Sequence, residues 1–409
     1  MADEPGTEAR MLTTLKNYPL TVNLLLSASL VLTLARAITL PYLVIYLSSQ
    51  FQLGVADIGL VIGSSLIVGS LLSLYGGFLV DSQPGYRLIL GCCAVFTCGF
   101  LGAFAARDLW VFYACLVAIN LAYAVIDIAV KSGFGRLLPV DARSEAFSIK
   151  YTLTNIGYAV GPFLGAGLAA LAISLPFLAS AMLGAGFFIV YAVWGDKHSM
   201  PVDTSQPGAP FLAVGKVLLS DYRLVCFTLG GALSAVVFGQ FPAYLSQYLI
   251  VTTTPEMAYR IISSVVATNA LMVISLQYVI GKRITHQHLN LWLAGGLGMF
   301  IVGLAGFGLS TSLMFWVVAM AVFTLGEIIV FPAEYMFIDI IAPDHLRGMY
   351  YAAQNLGNVG AALGPVLCGM VLATHPAHTM FYMLALCVVA GGLLYSLGAS
   401  LAGKVNAAT

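Results

Sequence analysis

The sequence predicts an all-α membrane protein in which twelve transmembrane helices form two pseudo-symmetric six-helix bundles. Three observations predict this fold class. The 409 residues are 60% hydrophobic and only 8% charged, which is too apolar for the surface of a water-soluble protein of this length. Twelve apolar stretches are each long enough to cross a bilayer, which takes about 20 helical residues. A motif in the first half of the chain also recurs in the second half.

The twelve apolar stretches divide evenly around one polar linker. We place them at 19–48, 56–80, 87–106, 109–133, 147–171, 173–194, 222–250, 257–280, 289–311, 313–341, 349–373 and 377–401. The predicted domains are therefore an N-terminal bundle at 1–194, a cytoplasmic linker at 195–221 and a C-terminal bundle at 222–409. The second part of the linker, FLAVGKVLLSDYRL, fits a short helix that lies on the membrane surface.

The basic residues predict the orientation, because lysine and arginine are enriched on the cytoplasmic side of a membrane. With the N-terminus in the cytoplasm, only Arg107 and Arg260 fall on the far side. Thirteen basic residues lie at or near the cytoplasmic side: Arg10, Lys16, Arg87, Arg136, Arg143, Lys150, Lys197, Lys216, Arg223, Lys282, Arg283, Arg347 and Lys404. The first seventeen residues do not have the pattern of a cleaved signal peptide, so we expect the first helix to be retained as a signal anchor.

The chain repeats itself at half its length. NIGYAVGP at 155–162 recurs as NVGAALGP at 358–365, an offset of 203 residues. Each copy follows a segment that ends in arginine, LLPVDAR before the first copy and IAPDHLR before the second. LPYLVIYL in the first helix has a looser counterpart in FPAYLSQYL. Two homologous halves related by an axis along the membrane normal are a known transporter plan.

Together these features resemble the major facilitator superfamily over essentially the whole chain. The segment GYAVGPFLG (Gly157, Gly161, Pro162 and Gly165) resembles the family's antiporter motif, and its repeat supplies Gly360, Gly364 and Pro365. The segment GGFLVDSQPGYR resembles the family's loop motif after the second helix.

In this loop motif Gly77 and Asp81 match, and Arg87 is the candidate basic partner of Asp81. Ser82 stands where the family usually has arginine, and Gly85 is displaced by one residue. This departure argues against a charge latch at the loop. The arginine that such exporters usually carry in the middle of the fourth helix is also absent, and Lys131 lies closer to its cytoplasmic end.

Three longer phrases, ARAITLPYLVIYLS, GEIIVFPAEYMFIDIIAP and YYAAQNLGNVGAALGP, look most like a bacterial multidrug-type branch of this family. That branch includes proposed exporters of dipeptides and sugars. The resemblance implies a proton-coupled secondary exporter that works by alternating access. It further implies a monomer in the bacterial cytoplasmic membrane, with both termini in the cytoplasm. The implied partners are a small molecule, protons and the lipid bilayer, without nucleic acid, metal or cofactor.

The tenth predicted helix carries Glu327, Glu334 and Asp339. The glutamates are seven residues apart, so they share one face about 10.5 Å apart along the axis, and Pro332 between them is expected to kink the helix. Asp339 lies off that face, near the cytoplasmic end. Intramembrane acids usually face a cavity or a partner, which favours a functional role for both glutamates. The alternative is a permanent hydrogen-bonded tie, which applies more to Glu327 because small residues precede it.

Two other predicted helices carry charges. Asp127 and Lys131 in the fourth helix have the spacing of a local ion pair, for which structural and functional roles are equally weighted. Aligning LLP at 137–139 with IAP at 341–343 places Lys131 opposite Tyr335, on the wall of a central cavity that faces Glu334. Arg36 in the middle of the first helix needs a carboxylate, carbonyl groups or substrate.

These charges suggest a mechanism. Burial raises the pKa of a carboxyl group and a nearby cation lowers it, so a change of conformation can load and unload a proton. We expect Glu334 to take a proton from the periplasm and to release it inward before substrate binds. Glu327 and Asp127 are the other proton-coupling candidates.

Further polar and aromatic residues within the spans could line a binding site, although each is individually more typical of helix packing. The substrate-binding candidates are Arg36, Lys131, Tyr42, Tyr46, Asn120, Gln240, Asn269, Phe331, Tyr335, Gln354 and Asn358. The seven cysteines fall in apolar runs and fit small buried hydrophobes. HQH and HPAH fit solvated loops better than metal sites.

Other functional classes fit the sequence less well. No hydrolase, metalloprotease or phosphate-loop motif indicates an enzyme, and no segment resembles the selectivity filter of a channel. Proton-coupled uptake, or an uncoupled facilitator of a sugar or other nutrient, is the alternative to export. A cavity with charges of both signs suits zwitterions such as dipeptides, aromatic and methionine side chains suit amphiphilic drugs, and carboxamides with tyrosines suit sugars.

Overall fold

The structure, a computed structural model, describes residues 15–201 and 210–406. All regular secondary structure in these ranges is helical. The first half contains α1 (Leu20–Phe51), α2 (Val55–Ser82), α3 (Gly85–Ala105), α4 (Leu109–Leu137), α5 (Val140–Leu171) and α6 (Leu175–Trp194). The second half contains α7 (Phe211–Ser220), α8 (Tyr222–Phe238), α9 (Phe241–Thr252), α10 (Pro255–Gly281), α11 (Leu289–Leu309), α12 (Leu313–Ile341), α13 (Arg347–Asn355), α14 (Asn358–Thr374) and α15 (Thr379–Asn406).

Local sequence explains where several helices begin. The Asp108 carboxylate accepts hydrogen bonds from the backbone N–H groups of Trp110 and Val111, at 2.9 and 3.1 Å, and so caps α4. Thr254 caps α10, whose first residue is Pro255. Proline suits this position because the first N–H of a helix has no partner within the helix. Polar caps and prolines therefore separate apolar stretches that composition alone would not divide.

All twelve predicted membrane segments are helical in the structure. In the described ranges, ten helical spans are long and apolar enough to cross a membrane, or up to eleven if the bent pair α7 and α8 counts as one span. The seventh predicted segment, 222–250, is not one helix but α8 followed by α9. Pro242 explains this break, because its ring would clash with the carbonyl group of Phe238, where α8 ends. The expected short linker helix is α7, whereas linker residues 202–209 lie outside the described residues.

The chain divides into two compact units, Met1–Phe211 with Pro343–Ala352 and Leu212–Ala342 with Ala353–Thr409. In the first unit, α1 packs against α4, α5 and α6, α4 packs against α2 and α3, and α3 packs against α6. In the second unit, α8 packs against α12, α14 and α15, α12 packs against α10 and α11, and α11 packs against α15. Each of these pairs in one unit has its counterpart in the other, as a duplication of six helices requires.

The repeated glycine motif forms the same helix contact in both units. A Cβ atom on Gly161 of α5 would lie 2.4 Å from the Cβ atom of Ala37 on α1, and one on Gly364 of α14 would lie 2.6 Å from the carbonyl oxygen of Val236 on α8. Real Cβ atoms do not approach neighbours this closely. The glycines are therefore what allows the first and fifth helices of each unit to pack with their backbones in near contact.

Candidate functional site

The first unit contains a buried cluster of ion pairs between α4 and α5. The Nζ atom of Lys131 lies 2.8 Å from Asp127 Oδ2, and the Nζ atom of Lys150 lies 2.6 Å from Asp127 Oδ1. The two lysine side chains are only 3% and 5% exposed. The expected i, i+4 pair is thus present. With two lysines to one aspartate, these three side chains carry a net charge of +1 between them, and Asp127 ties two helices together.

The sequence places Lys150 at or near the cytoplasmic side, and the structure shows that its side chain is buried there instead of solvated. Its helix α5 begins at Val140, seven residues before the membrane segment that hydropathy predicts, and Lys150 packs against Asp127 of α4. Lys150 is therefore part of the packed interior of the unit rather than a solvated cytoplasmic charge.

A second basic group of the first unit is Arg36 on α1. Its Nη2 donates a hydrogen bond to Asn120 Oδ1 at 3.1 Å, and its guanidinium lies 4.3 Å from the centre of the Tyr123 ring. The Tyr123 hydroxyl is 2.8 Å from Thr33 Oγ1, and Asn120 Nδ2 donates to Ser65 Oγ at 3.3 Å. Both neutral partners of Arg36 are therefore held in place by hydroxyl groups of the same unit.

Glu327 in the second unit is hydrogen-bonded to a neighbouring helix. Its side chain is buried, and Asn269 Nδ2 of α10 donates to Glu327 Oε2 at 2.6 Å. The same Asn269 amide donates to Thr324 Oγ1 at 3.1 Å, and Thr324 in turn donates to the Met320 carbonyl oxygen at 2.8 Å. This geometry is the tie between helices that the sequence left open as the alternative role for Glu327. It also brings the candidates Asn269 and Glu327 together.

Glu334 lies in a hydroxyl network that the sequence did not predict. Its side chain is 8% exposed, and the Tyr395 hydroxyl of α15 donates a hydrogen bond to Glu334 Oε1. The Tyr395 oxygen is also 3.2 Å from Ser234 Oγ of α8, in a contact where either oxygen can donate. Gly231 of α8 faces the same carboxyl group, since a Cβ atom there would lie at ordinary contact distance, 3.8 Å, from Glu334 Oε2.

The loop motif after α2 forms a latch despite its departure from the family pattern. The Asp81 carboxylate accepts hydrogen bonds from the N–H groups of Gly348 and Met349, at 2.8 and 2.9 Å, and forms an ion pair with Arg136 at 2.8 Å. The sequence argued against a latch and proposed Arg87 as the partner of Asp81. Both expectations are wrong, because Arg136 on α4 takes the place of the arginine missing from the loop. A carboxylate at the first turn of α13 is also favoured by the helix dipole.

The glycine of this motif brings the same segment close. A Cβ atom on Gly77 would lie 2.6 Å from the carbonyl oxygen of Gly348. The close approach of α2 and the start of α13 explains why Pro343–Ala352 belongs to the first unit, although it lies in the second half of the sequence.

The aromatic candidates of α1 pack within the first unit. Tyr46 is 3% exposed and its ring centre lies 4.8 Å from that of Phe177 and 5.3 Å from that of Phe112. Tyr42 donates to the carbonyl oxygen of Pro162 at 3.2 Å. These contacts favour the packing alternative for both tyrosines.

The remaining candidates of the second half lie in different environments. Phe331 contacts Phe238, with ring centres 4.3 Å apart, and Tyr335 is buried. Gln240 lies exposed at the break between α8 and α9, and Asn358 lies exposed at the start of α14. Gln354 is buried, and no hydrogen bond to its Oε1 was found in the described chain.

Asp339 is 3% exposed in the last turn of α12, so it lies at the helix end, as the sequence predicts, and its side chain is buried.

No sequence pattern pointed to Tyr123, Ser234 or Tyr395. Each is one of several hydroxyl side chains in an apolar helix, where the ordinary expectation is packing or a bond to the helix backbone. Tyr395 could have been found only through its contact with Glu334, from which it is separated by 61 residues. The sequence did indicate that Lys150 needs a partner, since it is the fourth residue of the predicted membrane segment 147–171.

Two similar helical units, each with buried ionisable side chains, define a membrane transporter rather than an enzyme. The sequence comparisons identify its family. The model of the Major Facilitator Superfamily matches residues 25–365. The MFS-type transporter YdeE of Escherichia coli is 37% identical over 371 residues, which cover 90% of this chain and 93% of YdeE. This chain therefore belongs to the Major Facilitator Superfamily.

More distant relatives carry functional names. A Na(+), Li(+), K(+)/H(+) antiporter of Planococcus maritimus is 26% identical, with 87% of this chain and 90% of the antiporter covered. The multidrug resistance protein MdtH of Aeromonas salmonicida is also 26% identical, with 80% and 81% covered. Among solved structures, the proton:xylose symporter XylE has a TM-score of 0.73 at 12% identity, covering 92% of this chain and 95% of XylE. This likeness shows the fold alone.

Proposed function

We propose that the protein is a proton-coupled secondary exporter of small amphiphilic or zwitterionic molecules, and that Glu334 carries the proton. The proposal places it in the bacterial cytoplasmic membrane with both termini in the cytoplasm. Export is supported by the antiporter-type motif of α5 and by the names of the relatives from Planococcus maritimus and Aeromonas salmonicida. Alternating access is the mechanism that two repeated helical units of this family support.

The observation that carries the proposal is the hydroxyl network at Glu334. A hydroxyl group both donates and accepts hydrogen bonds. Tyr395 can donate to the Glu334 carboxylate, and after rotation of its hydroxyl it can accept from the protonated carboxylic acid while donating to Ser234. The network therefore supplies a partner for either protonation state of Glu334. A proton carrier needs this property, because a buried polar group without a partner costs about 1–3 kcal/mol.

Glu327 has a different kind of partner. The Nδ2 group of Asn269 is a donor only, and its two hydrogens point to Glu327 Oε2 and Thr324 Oγ1. Thr324 uses its own hydrogen in the bond to the Met320 carbonyl oxygen. The arrangement ties α10 to α12 through a donor-only amide, so we assign Glu327 a structural role. Asp127 is likewise assigned to the ion pairs that join α4 and α5.

The internal repeat adds a chemical contrast between the units. The glycines of α5 and α14 that make equivalent contacts, Gly161 and Gly364, differ by 203 positions. The helices that carry the charges, α4 (Leu109–Leu137) and α12 (Leu313–Ile341), are offset by 204 positions at both ends, so Lys131 is equivalent to Tyr335, the neighbour of Glu334 in the chain. One unit thus has a buried base one position away from where the other has a buried acid. This difference fits a carrier in which only the second unit binds the transported proton.

Proton transport into everted membrane vesicles tests the proposal. With a preformed proton gradient and a pH-sensitive dye, a panel of amphiphilic drugs, dipeptides and sugars is added to vesicles that contain the protein. We expect at least one compound to dissipate the gradient with the wild type but not with Glu334→Gln. Tyr395→Phe should slow this response about tenfold, since one hydrogen bond contributes about 1 kcal/mol or somewhat more.

The matched control is Glu327→Gln, which removes a buried carboxyl group from the same helix and should retain coupled transport. Counterflow of the labelled compound shows whether each variant still binds and exchanges substrate without a gradient. We expect exchange in Glu334→Gln. Uphill export by Glu334→Gln, or loss of coupling in Glu327→Gln alone, would show that Glu334 is not the proton carrier.

A further inference from the structure

Arg36 lies deep in a membrane span. It is 16 residues from Leu20 and 15 residues from Phe51, the two ends of α1. At 1.5 Å per residue these separations are about 24 Å and about 22 Å along the helix axis. The side chain cannot reach either end of the helix from there, and an arginine in the middle of a membrane is costly unless it is compensated.

The partners of Arg36 are neutral. Within residues 15–201 and 210–406, it makes one hydrogen bond, to Asn120, and lies against the face of Tyr123. No carboxylate in this part of the chain forms an ion pair with it. By contrast, Arg136 and Arg347 pair with aspartates at 2.8 Å each. Arg36 is therefore a fixed cation whose charge the described chain does not neutralise.

Most hydrogen-bond donors of Arg36 have no acceptor in the described chain. A guanidinium carries five N–H donors, and the Asn120 carboxamide takes up one of them. The guanidinium carbon lies 4.3 Å from the centre of the Tyr123 ring, and Arg36 is partly exposed. Thr33 holds the Tyr123 ring and Ser65 holds the Asn120 amide. The side chain is thus oriented by its neighbours before any ligand arrives.

We propose that Arg36, oriented by Tyr123 and Asn120, is the subsite for a carboxylate group of the transported molecule. The planar fork of a guanidinium matches the two oxygens of a carboxylate. A single arginine also fits one negative charge better than the two of a phosphate monoester. The inference rests on the proposed transport function and narrows its substrate class to zwitterions and organic anions with an apolar body. Purely cationic drugs and neutral sugars lack the group that Arg36 would bind.

Equilibrium binding to the purified full-length protein tests this assignment. The probes are naphthylacetate and a zwitterionic dipeptide with an aromatic side chain, each compared with its own carboxamide, and naphthyl phosphate. Ligand-induced changes in thermal unfolding and in tryptophan fluorescence give the Kd values. We expect the wild type to bind at least one carboxylate about tenfold or more tightly than the matching carboxamide, the effect of a charge-assisted hydrogen bond.

Three variants show whether the preference for the acid depends on Arg36 itself. Arg36→Gln should bind acid and amide equally, whereas Arg36→Lys, which keeps the charge but not the fork, should retain a reduced preference for the acid. Arg87→Gln is the matched control, because it removes an exposed arginine at the start of α3 and should leave the preference unchanged. Size-exclusion chromatography shows which variants are folded. If Arg36→Gln does not fold, the acid preference of Arg36→Lys is the test of the assignment.

Several results would overturn the assignment. These are equal Kd values for acid and amide in the wild type, no binding of either carboxylate, an unchanged preference in Arg36→Gln or in Arg36→Lys, or tighter binding of naphthyl phosphate than of naphthylacetate. The measurement uses no proton gradient. A carboxylate preference would therefore stand even if Glu334 proved not to carry the proton, and proton coupling would stand even if Arg36 showed no preference.

Discussion

Replacing Asp127 by asparagine should destabilise the protein, because two buried lysines share this carboxylate. Lys131 and Lys150 lie 2.8 and 2.6 Å from its two oxygens, with side chains 3% and 5% exposed. An asparagine of the same shape has one acceptor oxygen in place of two and carries no charge. The substitution therefore leaves two ammonium groups in the interior without the counter-charge that they share.

The contact distances set the size of this effect. The two oxygens of a carboxylate are at most about 2.5 Å apart, twice the C–O bond length. Together with the two contact distances, this places the Lys131 and Lys150 nitrogens at most about 8 Å apart. At an effective dielectric constant of about 20, their repulsion is then about 2 kcal/mol or more. Removing one partner of a buried ion pair costs about 3–5 kcal/mol, so repulsion accounts for roughly half of the expected loss.

Thermal unfolding of the purified protein in detergent measures this loss. We expect Asp127→Asn to lower the Tm by on the order of 5 °C or more. The double variant Asp127→Asn/Lys131→Gln should recover about half of the loss, because it removes the repulsion. Asp57→Asn, which changes an exposed aspartate on α2, is the matched control and should unfold like the wild type. A wild-type Tm for Asp127→Asn, or no recovery in the double variant, would refute the argument.

Two further predictions concern the latch and the glycine motif. Asp81→Asn should increase the hydrogen-exchange rate of the Gly348 amide about tenfold or more, since it weakens a charge-assisted bond at a helix N-terminus. Hydrogen-exchange mass spectrometry measures this rate, with Asp57→Asn as the control. An unchanged exchange rate would contradict the latch. Gly161→Ala should destabilise the protein by about 1–3 kcal/mol through overpacking against α1. Gly167→Ala is the control, because its Cβ atom would have no neighbour within 4 Å, and it should be close to neutral in the same thermal unfolding measurement. Equal effects of Gly161→Ala and Gly167→Ala would show that α5 and α1 are not in tight contact at Gly161.

Hydropathy predicted the membrane segments well, because burial in lipid acts on every residue of a span and leaves a signal about 20 residues long. It could not predict the break between α8 and α9, which depends on the clash between Pro242 and the carbonyl group of Phe238. The glycine repeat predicted the duplication, and the helix contacts agree with it. The start of α5 was missed for another reason, since Asp141, Arg143 and Glu145 make its first turns too polar for a hydropathy signal.

The sequence by itself determined the class of this protein: an apolar, duplicated chain of twelve segments with a few acids and bases inside them. It also identified Arg36, Asp127 and Glu334 as residues that need partners, because an isolated charge in a membrane is costly wherever it lies. Only the tertiary structure decided which partners they have: Tyr123, Lys150 and Tyr395. The physical reason is that these contacts join different helices at short range, and the packing that brings them together leaves no periodic trace in the chain.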